Sequence, residues 1–196
     1  EGCQKEGQVG MFDLISIGDA TEDVFLQLEE ASVHCEKGTS KCTICMDFAT
    51  KIPVERVDKL IGGNAATAAV GGSRLGMRSA FYCVLGKDDA GRLIRKTLKK
   101  EKVSTRYVQL SSSTATNYSV VLNKEAERTI LVYHVPRKYR LPMLEKSAWL
   151  YYTSMGKGFE RLHNDMLRYI KSCGARLGFN PGTHQMRKGA EFLSPI

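Results

Sequence analysis

The chain has no run of about 18 apolar residues, the length a membrane-crossing helix requires. Its first ten residues, EGCQKEGQVG, hold no apolar stretch of the kind a secretory signal carries. Together these absences set the expectation of a cytoplasmic protein. Walker A is missing too, because the GKG at 156–158 lacks the upstream glycine spacing and the following Ser or Thr. GGSRLG at 71–76 lacks the middle glycine of G-x-G-x-x-G, which disfavours a Rossmann dinucleotide site. Internal repeats and low-complexity linkers are also absent, so nothing divides the chain into two equal domains.

What is present is ordinary globular composition: 196 residues, 42% hydrophobic and 26% charged, enough for one sizeable core. The formal net charge is +8, which raises the question of nucleic acid. The densest basic run, GRLIRKTLKKEK, puts Leu93, Ile94, Thr97 and Leu98 on one helical face and Arg92, Arg95, Lys96, Lys99 and Lys100 on the other. That is a solvated amphipathic helix, and neither it nor PRKYR at 136–140 interleaves the aromatics that stack on bases. No nucleic-acid or membrane partner is expected. Six cysteines in a cytosolic chain are expected to be reduced thiols. Cys42-x-x-Cys45, with His34 and Cys35 nearby, has zinc-knuckle spacing, but no second C-x-x-C pair accompanies it. Both readings of the Cys35/Cys42/Cys45 cluster stay open, and no metal site is assigned.

Along the chain, FDLISIG (12–18) reads as a buried strand leading into a loop that presents Asp19 and Asp23. VFLQLEEASVHC reads as one half-exposed strand. IGGNAATAAVGGSRLG (61–76) reads as a glycine turn, Gly62-Gly63-Asn64, opening a helix of small residues that lies close to a sheet. Free N–H groups at such a helix start suit an oxygen-rich or anionic ligand; a tight turn before a closely packed core helix explains the same residues. RSAFYCVLG is a further buried strand, followed by a helix capped by Asp88 or Asp89. TRYVQL, TNYSVVLN and RTILVYH are short β runs, and AWLYYTSMG another buried strand. GFERLHNDMLRYIKSCGA sets Phe159, Leu162, Met166 and Ile170 on one helix face, with Gly174 as its terminating glycine. The β-α-β-α rhythm predicts an α/β fold with a mostly parallel sheet, ligands binding outside the strands' carboxyl ends. The less apolar strands at 24–54 and 116–132 suggest a smaller projecting β-layer, a lid.

GGNAATAAVGGSRLG resembles the N-terminal signature of the ribokinase (PfkB) family of sugar and nucleoside kinases. IGDATEDVF, VLGKDDAGRLI (the family's G-x-D-x-x-G element) and FNPG agree in order and spacing. The resemblance implies a ribokinase-like three-layer sandwich with a β-lid over residues 11–196; the polar, featureless residues 1–10 ahead of Met11 are expected to be a non-native or disordered leader. It implies transfer of the ATP γ-phosphoryl to a primary hydroxyl of a sugar or nucleoside, with ATP and Mg as cofactors of the full-length protein. Asp23, Gly62, Gly63, Asn64, Thr67 and Asn117 would contact the substrate, and Asn180 would lie at the cofactor. Thr67 departs from the family, which usually has asparagine there. Tyr118, Tyr133 and His134 are candidate lid contacts, and the lid edge suits a homodimer.

The family's Asn-x-x-Glu and Gly-Ala-Gly-Asp elements, which organise magnesium and supply the anion hole and catalytic aspartate, would fall after residue 196. The chain is therefore expected to be incomplete at the C-terminus and inactive alone, with no catalytic residue of its own. The alternative is a non-catalytic sugar-binding protein derived from such a kinase.

Overall fold

The computed structural model describes residues 12–193; the leader expected at 1–10 lies outside them. The chain forms two compact units: one holds residues up to Glu22, Ile61–Asn117 and the chain from His134 on, the other Asp23–Leu60 and Tyr118–Tyr133.

The first unit is built on a five-stranded sheet. Its strands are β1 (Phe12–Ile17), β6 (Ser79–Gly86), β7 (Val108–Ser111), β10 (Ser147–Thr153) and β11 (Arg176–Asn180), in the order β11-β10-β1-β6-β7. Every pairing is parallel. Parallel strands need covering on both faces, and β6 shows it: all eight of its residues are buried. Phe81, Cys83 and Leu85 face Ala65, Ala66 and Ala69 of α1 (Asn64–Arg74) and Ile94 and Leu98 of α2 (Asp89–Lys100). The alternate residues Ala80, Tyr82 and Val84 join Leu162 and Met166 of α3 (Glu160–Cys173) in the other core cluster. This is the expected three-layer sandwich. Alanine is what lets α1 approach the sheet.

Both long helices bury the faces the sequence marks. In α2, Ile94 and Leu98 are buried and the lysines and arginines exposed. In α3 the buried face is Leu162, His163, Met166 and Tyr169, and Gly174 ends the helix in the left-handed region at φ 65°. Two short helical turns, α4 (Thr183–Met186) and α5 (Ala190–Leu193), follow β11.

The second unit centres on a four-stranded sheet ordered β5-β2-β8-β9, formed by β2 (Thr21–Leu28), β5 (Val54–Gly62), β8 (Asn117–Lys124) and β9 (Glu127–Tyr133). β8 and β9 form an antiparallel hairpin from Tyr118↔Tyr133 to Lys124↔Glu127. Leu28, Ala31 and Leu122 make its small core. β9 is exposed along its whole length, leaving Ile130, Leu131, Val132 and Tyr133 in solvent at a sheet edge.

Two expectations need correcting. VFLQLEEASVHC is two strands, not one: the chain bends at Glu29–Glu30, and β3 (Ser32–Cys35) pairs only with β4 (Cys42–Cys45) in a separate hairpin. The expectation of reduced thiols fails at Cys35 and Cys42, which form a disulfide. The reason is register: the hairpin sets Cys35 directly opposite Cys42, with Cα atoms 4.0 Å apart. The zinc-knuckle alternative loses two of its donors to that bond. Cys45 and Cys83 remain thiols.

Candidate functional site at the carboxyl ends of the sheet

Chain order and sheet order together locate the site in the first unit. From β1 the chain moves outward through β6 and β7, then returns to place β10 on the other side of β1 and β11 beyond it. The direction of winding reverses between β1 and β10. In an open parallel sheet, that reversal leaves a crevice outside the carboxyl ends of those two strands.

The turns at this crevice fit closely. Asp19, just after β1, donates its N–H to Ser154 O at 3.0 Å, just after β10. Gly63, before α1, has φ 101° and sits so near that a Cβ there would lie 2.4 Å from Asp19 O. Only glycine fits, both in conformation and in space. This is the answer to the glycine turn: it lets the start of α1 meet the β1 turn backbone to backbone. Gly182, after β11, also lies close to Ser154, where a Cβ would stand 2.4 Å from its Oγ, and the Gly182 N–H donates to Gln185 Oε1 at 2.7 Å.

Asp19 is the chemical centre of the crevice. It is 5% exposed. The Tyr139 hydroxyl donates to it, 2.9 Å from each carboxylate oxygen, and the Gly156 N–H donates to Oδ2 at 2.8 Å. Burial dominates and pushes its pKa above the ordinary carboxylate range, against these hydrogen bonds and the charges of Arg137 and His134. Arg137 is itself buried: Nη2 donates to Ala115 O and Asn117 Oδ1, while Nε and Nη1 have no hydrogen-bond partner. A buried carboxylate and a buried guanidinium therefore share this end of the unit.

The G-x-D-x-x-G element is a structural knot. Asp88 caps α2, with Oδ1 accepting from Gly91 N at 2.8 Å and Thr116 Oγ1 at 2.7 Å, and Oδ2 from Thr116 N at 2.7 Å. Burial opposes ionisation there, but these bonds outweigh it and hold the carboxyl below its usual range. Gly91 is required because a Cβ would lie 2.2 Å from Gly86 O. The knot fixes Thr116 and so the point where the chain leaves the first unit. Asn117 Oδ1 accepts from Val135 N at 3.0 Å, tying that exit to the re-entry.

The residues expected from sequence thus fall in several places. Gly62, Gly63 and Asn64 stand at the α1 start beside Asp19, with Asn64 exposed. Thr67 is exposed and its hydroxyl donates back to Gly63 O at 3.2 Å. Asn117 is buried, its amide oxygen occupied as described. Asn180 is exposed at the end of β11, where its amide donates to the Tyr151 hydroxyl at 3.4 Å. Asp23 lies on β2, in the second unit. Sequence reasoning missed Tyr139, Arg137 and Gly156, and treated Asp19 only as a loop residue. No local signal finds them, since Tyr139 meets Asp19 across 120 positions. Among the described residues, no group of three or more His, Cys, Asp or Glu side chains is arranged to hold a metal.

A three-layer α/β sandwich with a crevice at its winding reversal is a ligand-binding architecture shared by many proteins. Here the comparisons narrow it. Residues 30–155 match the pfkB family carbohydrate kinase profile, and the chain belongs to that family. It is 32% identical over 130 residues to a fructokinase of Salmonella typhimurium, covering 61% of this chain and 42% of the relative. An aminoimidazole riboside kinase from the same species is 28% identical over 130 residues, covering 61% and 41%. Among solved structures, Arabidopsis thaliana ribokinase complexed with ribose and ATP superposes with TM-score 0.66 at 17% identity, over 87% of this chain and 53% of that one. Xylella fastidiosa fructokinase with bound ATP gives 0.64 at 20%, over 86% and 51%. The chain spans about two fifths of the length of the curated relatives it matches.

Proposed function

We propose that this chain is the acceptor-binding part of an ATP-dependent kinase that phosphorylates a primary hydroxyl of a sugar or nucleoside. The observation that carries the reading is the crevice between β1 and β10, walled by the Gly63 turn and by Asp19, in a chain of the pfkB family. Gly62, Gly63, Asn64 and Thr67 bind the acceptor: a glycine turn admits a polyol to the backbone, and the Asn64 amide and Thr67 hydroxyl each offer a donor and an acceptor. Asn117 is assigned to the same contact set, its buried amide serving to hold the chain where it crosses between units. Asn180 and the turn after it face the ATP side of the reaction. ATP is the donor, in keeping with the nucleotide-bound solved structures of similar fold.

Phosphoryl transfer rests on positioning and on charge stabilisation around the transferring group. Of those parts, this chain supplies acceptor positioning. Asp19 is not the base that takes the hydroxyl proton, because its carboxylate is already committed to Tyr139 and Gly156. The second unit serves as the lid, and its exposed β9 edge is the surface through which two copies would pair.

The test is calorimetric. The 196-residue chain should bind a neutral sugar or nucleoside saturably, and Asn64→Ala should weaken that binding by about 0.5–1.5 kcal/mol, the worth of a typical hydrogen bond. With ATP and Mg present it should transfer no phosphoryl group. Turnover by the pure chain, or binding indifferent to Asn64, contradicts the assignment.

A further inference from the structure

On the β6–β7 side of the sheet, the first unit encloses a cavity of about 570 Å³ between the end of β7 and the segment 136–138. That volume suits a small organic molecule. Asp19, Gly63, Asn64 and Gly156, the residues of the crevice, do not line it. Its walls are tied in place: Lys87 N–H donates to Ser111 O at 3.0 Å, and Gln109 Nε2 donates to Arg140 O at 3.1 Å.

Val84, Leu110 and Pro136 give the cavity apolar surface, Arg137 and Lys138 give it positive charge, and no carboxylate side chain lines it. Arg137 is 5% exposed. Its Nη2 is used by Ala115 O and Asn117 Oδ1, while Nε and Nη1 have no hydrogen-bond partner among the described residues. Asp19 does not take them, since its bonds come from Tyr139 and Gly156. A buried cation with N–H groups unmet is costly and calls for an acceptor. The turn after β7 adds a directed donor. Ser111 Oγ accepts from the Thr114 hydroxyl at 2.8 Å and from the N–H groups of Thr114 and Ser113 at 3.1 and 3.3 Å. Its lone pairs are thus engaged, and its own hydrogen turns to Ser113 Oγ, 3.3 Å away. Ser113, exposed at the cavity, keeps its hydroxyl hydrogen to give.

We propose that this cavity is a binding site for a small organic carboxylate, separate from the acceptor crevice. Arg137, Lys138 and the Ser113 hydroxyl receive the carboxylate oxygens in charge-assisted hydrogen bonds. Val84, Leu110 and Pro136 receive the carbon body, which is why the ligand is an organic acid: a bare inorganic anion would leave that surface unused. The site does not depend on the kinase reading, because it shares none of the residues given to the acceptor.

The test titrates the 196-residue chain with succinate, benzoate, their neutral amides succinamide and benzamide, and inorganic phosphate. Nitrogen NMR follows the Arg137 Nε–H and the amides of Ser111, Ser113 and Thr114. At least one carboxylate should move these signals saturably and bind at least about tenfold more tightly than its own amide. Arg137→Gln should abolish that binding. Lys138→Met should weaken it roughly two- to fivefold at unchanged Tm, since Lys138 is exposed, and this variant carries the test if Arg137→Gln does not fold. Equal binding of acid and amide, or no carboxylate that moves Arg137, overturns the inference. Phosphate binding as tightly as the carboxylates at the same signals also overturns it, because the apolar surface then has no part. Displacement of the carboxylate by fructose would make the cavity part of the acceptor site and overturn the separate one. If fructose binds nowhere, the kinase reading fails while a saturable carboxylate still supports this site.

Discussion

Replacing Gly63 by alanine should separate the physics of the glycine turn from ordinary helix propensity. Gly63 has φ 101° and ψ 129°, a region that L residues avoid, and a strained residue there costs roughly 1–3 kcal/mol. The new Cβ would also lie 2.4 Å from Asp19 O and 3.1 Å from Ala20 Cα. Both are backbone atoms, so no rotamer change relieves the clash, and the β1 turn itself must shift. The expected total is at least about 3 kcal/mol, or some hundredfold in the folding equilibrium. Gly71, in the same helix, is the control: a Cβ there meets nothing within 4 Å. Gly71→Ala should stabilise by about 0.5–1 kcal/mol. Urea denaturation of the two variants reads the difference, which at an m-value of about 1–3 kcal/mol/M exceeds about 1 M in midpoint. Equal midpoints for the two alanines would refute the argument that the turn is built on backbone contact.

Tyr139→Phe removes the hydroxyl that steadies Asp19 and should cost about 1–3 kcal/mol, more at about pH 8 than at about pH 5, because the lost bond favours the ionised carboxylate; parallel urea melts at the two pH values check this. His163 is buried among Phe159, Tyr152 and Phe192, and burial holds its pKa below the usual 6.5. The unfolded chain takes up that proton first, so His163 contributes stability that is full above about pH 6.5 and lost as pH falls through its folded value. His163→Phe should flatten the fall in Tm between about pH 7 and pH 5. Reducing Cys35–Cys42, which closes a short loop with sequence separation 7, should loosen the β3–β4 hairpin by up to about 2.5 kcal/mol. Amide exchange should then quicken at 32–45 while β6 stays protected.

The sheet was legible where burial is symmetrical. RSAFYCVLG reads as a strand because both faces of β6 are covered, which leaves an unbroken apolar run. α2 and α3 show their buried faces in the 3.6-residue period, and Gly174 marks its helix end. Legibility fails where partners are distant or a period continues across a break. The alternation of 24–35 runs straight through the bend at Glu29–Glu30, because period two marks which face a residue takes and not which sheet it joins. The Cys42–Cys45 spacing suggested a metal, whereas hairpin register joined Cys42 to Cys35. Within the site, the glycine turn is visible because its constraint is local. Asp19, Tyr139, Arg137 and Gly156 are assembled by the fold from far-apart positions, and each alone looks like loop chemistry.

The central claim is that the crevice between β1 and β10 receives the acceptor. The most direct measurement is an amide NMR titration of the 196-residue chain with fructose, ribose, gluconate and fructose 6-phosphate, reading Asp19, Gly63, Asn64 and Gly156. The account predicts saturable shifts at these four amides with at least one sugar, while the Arg78 end of the sheet stays unmoved. Saturable shifts confined to other residues, or none with any of the four, would contradict it.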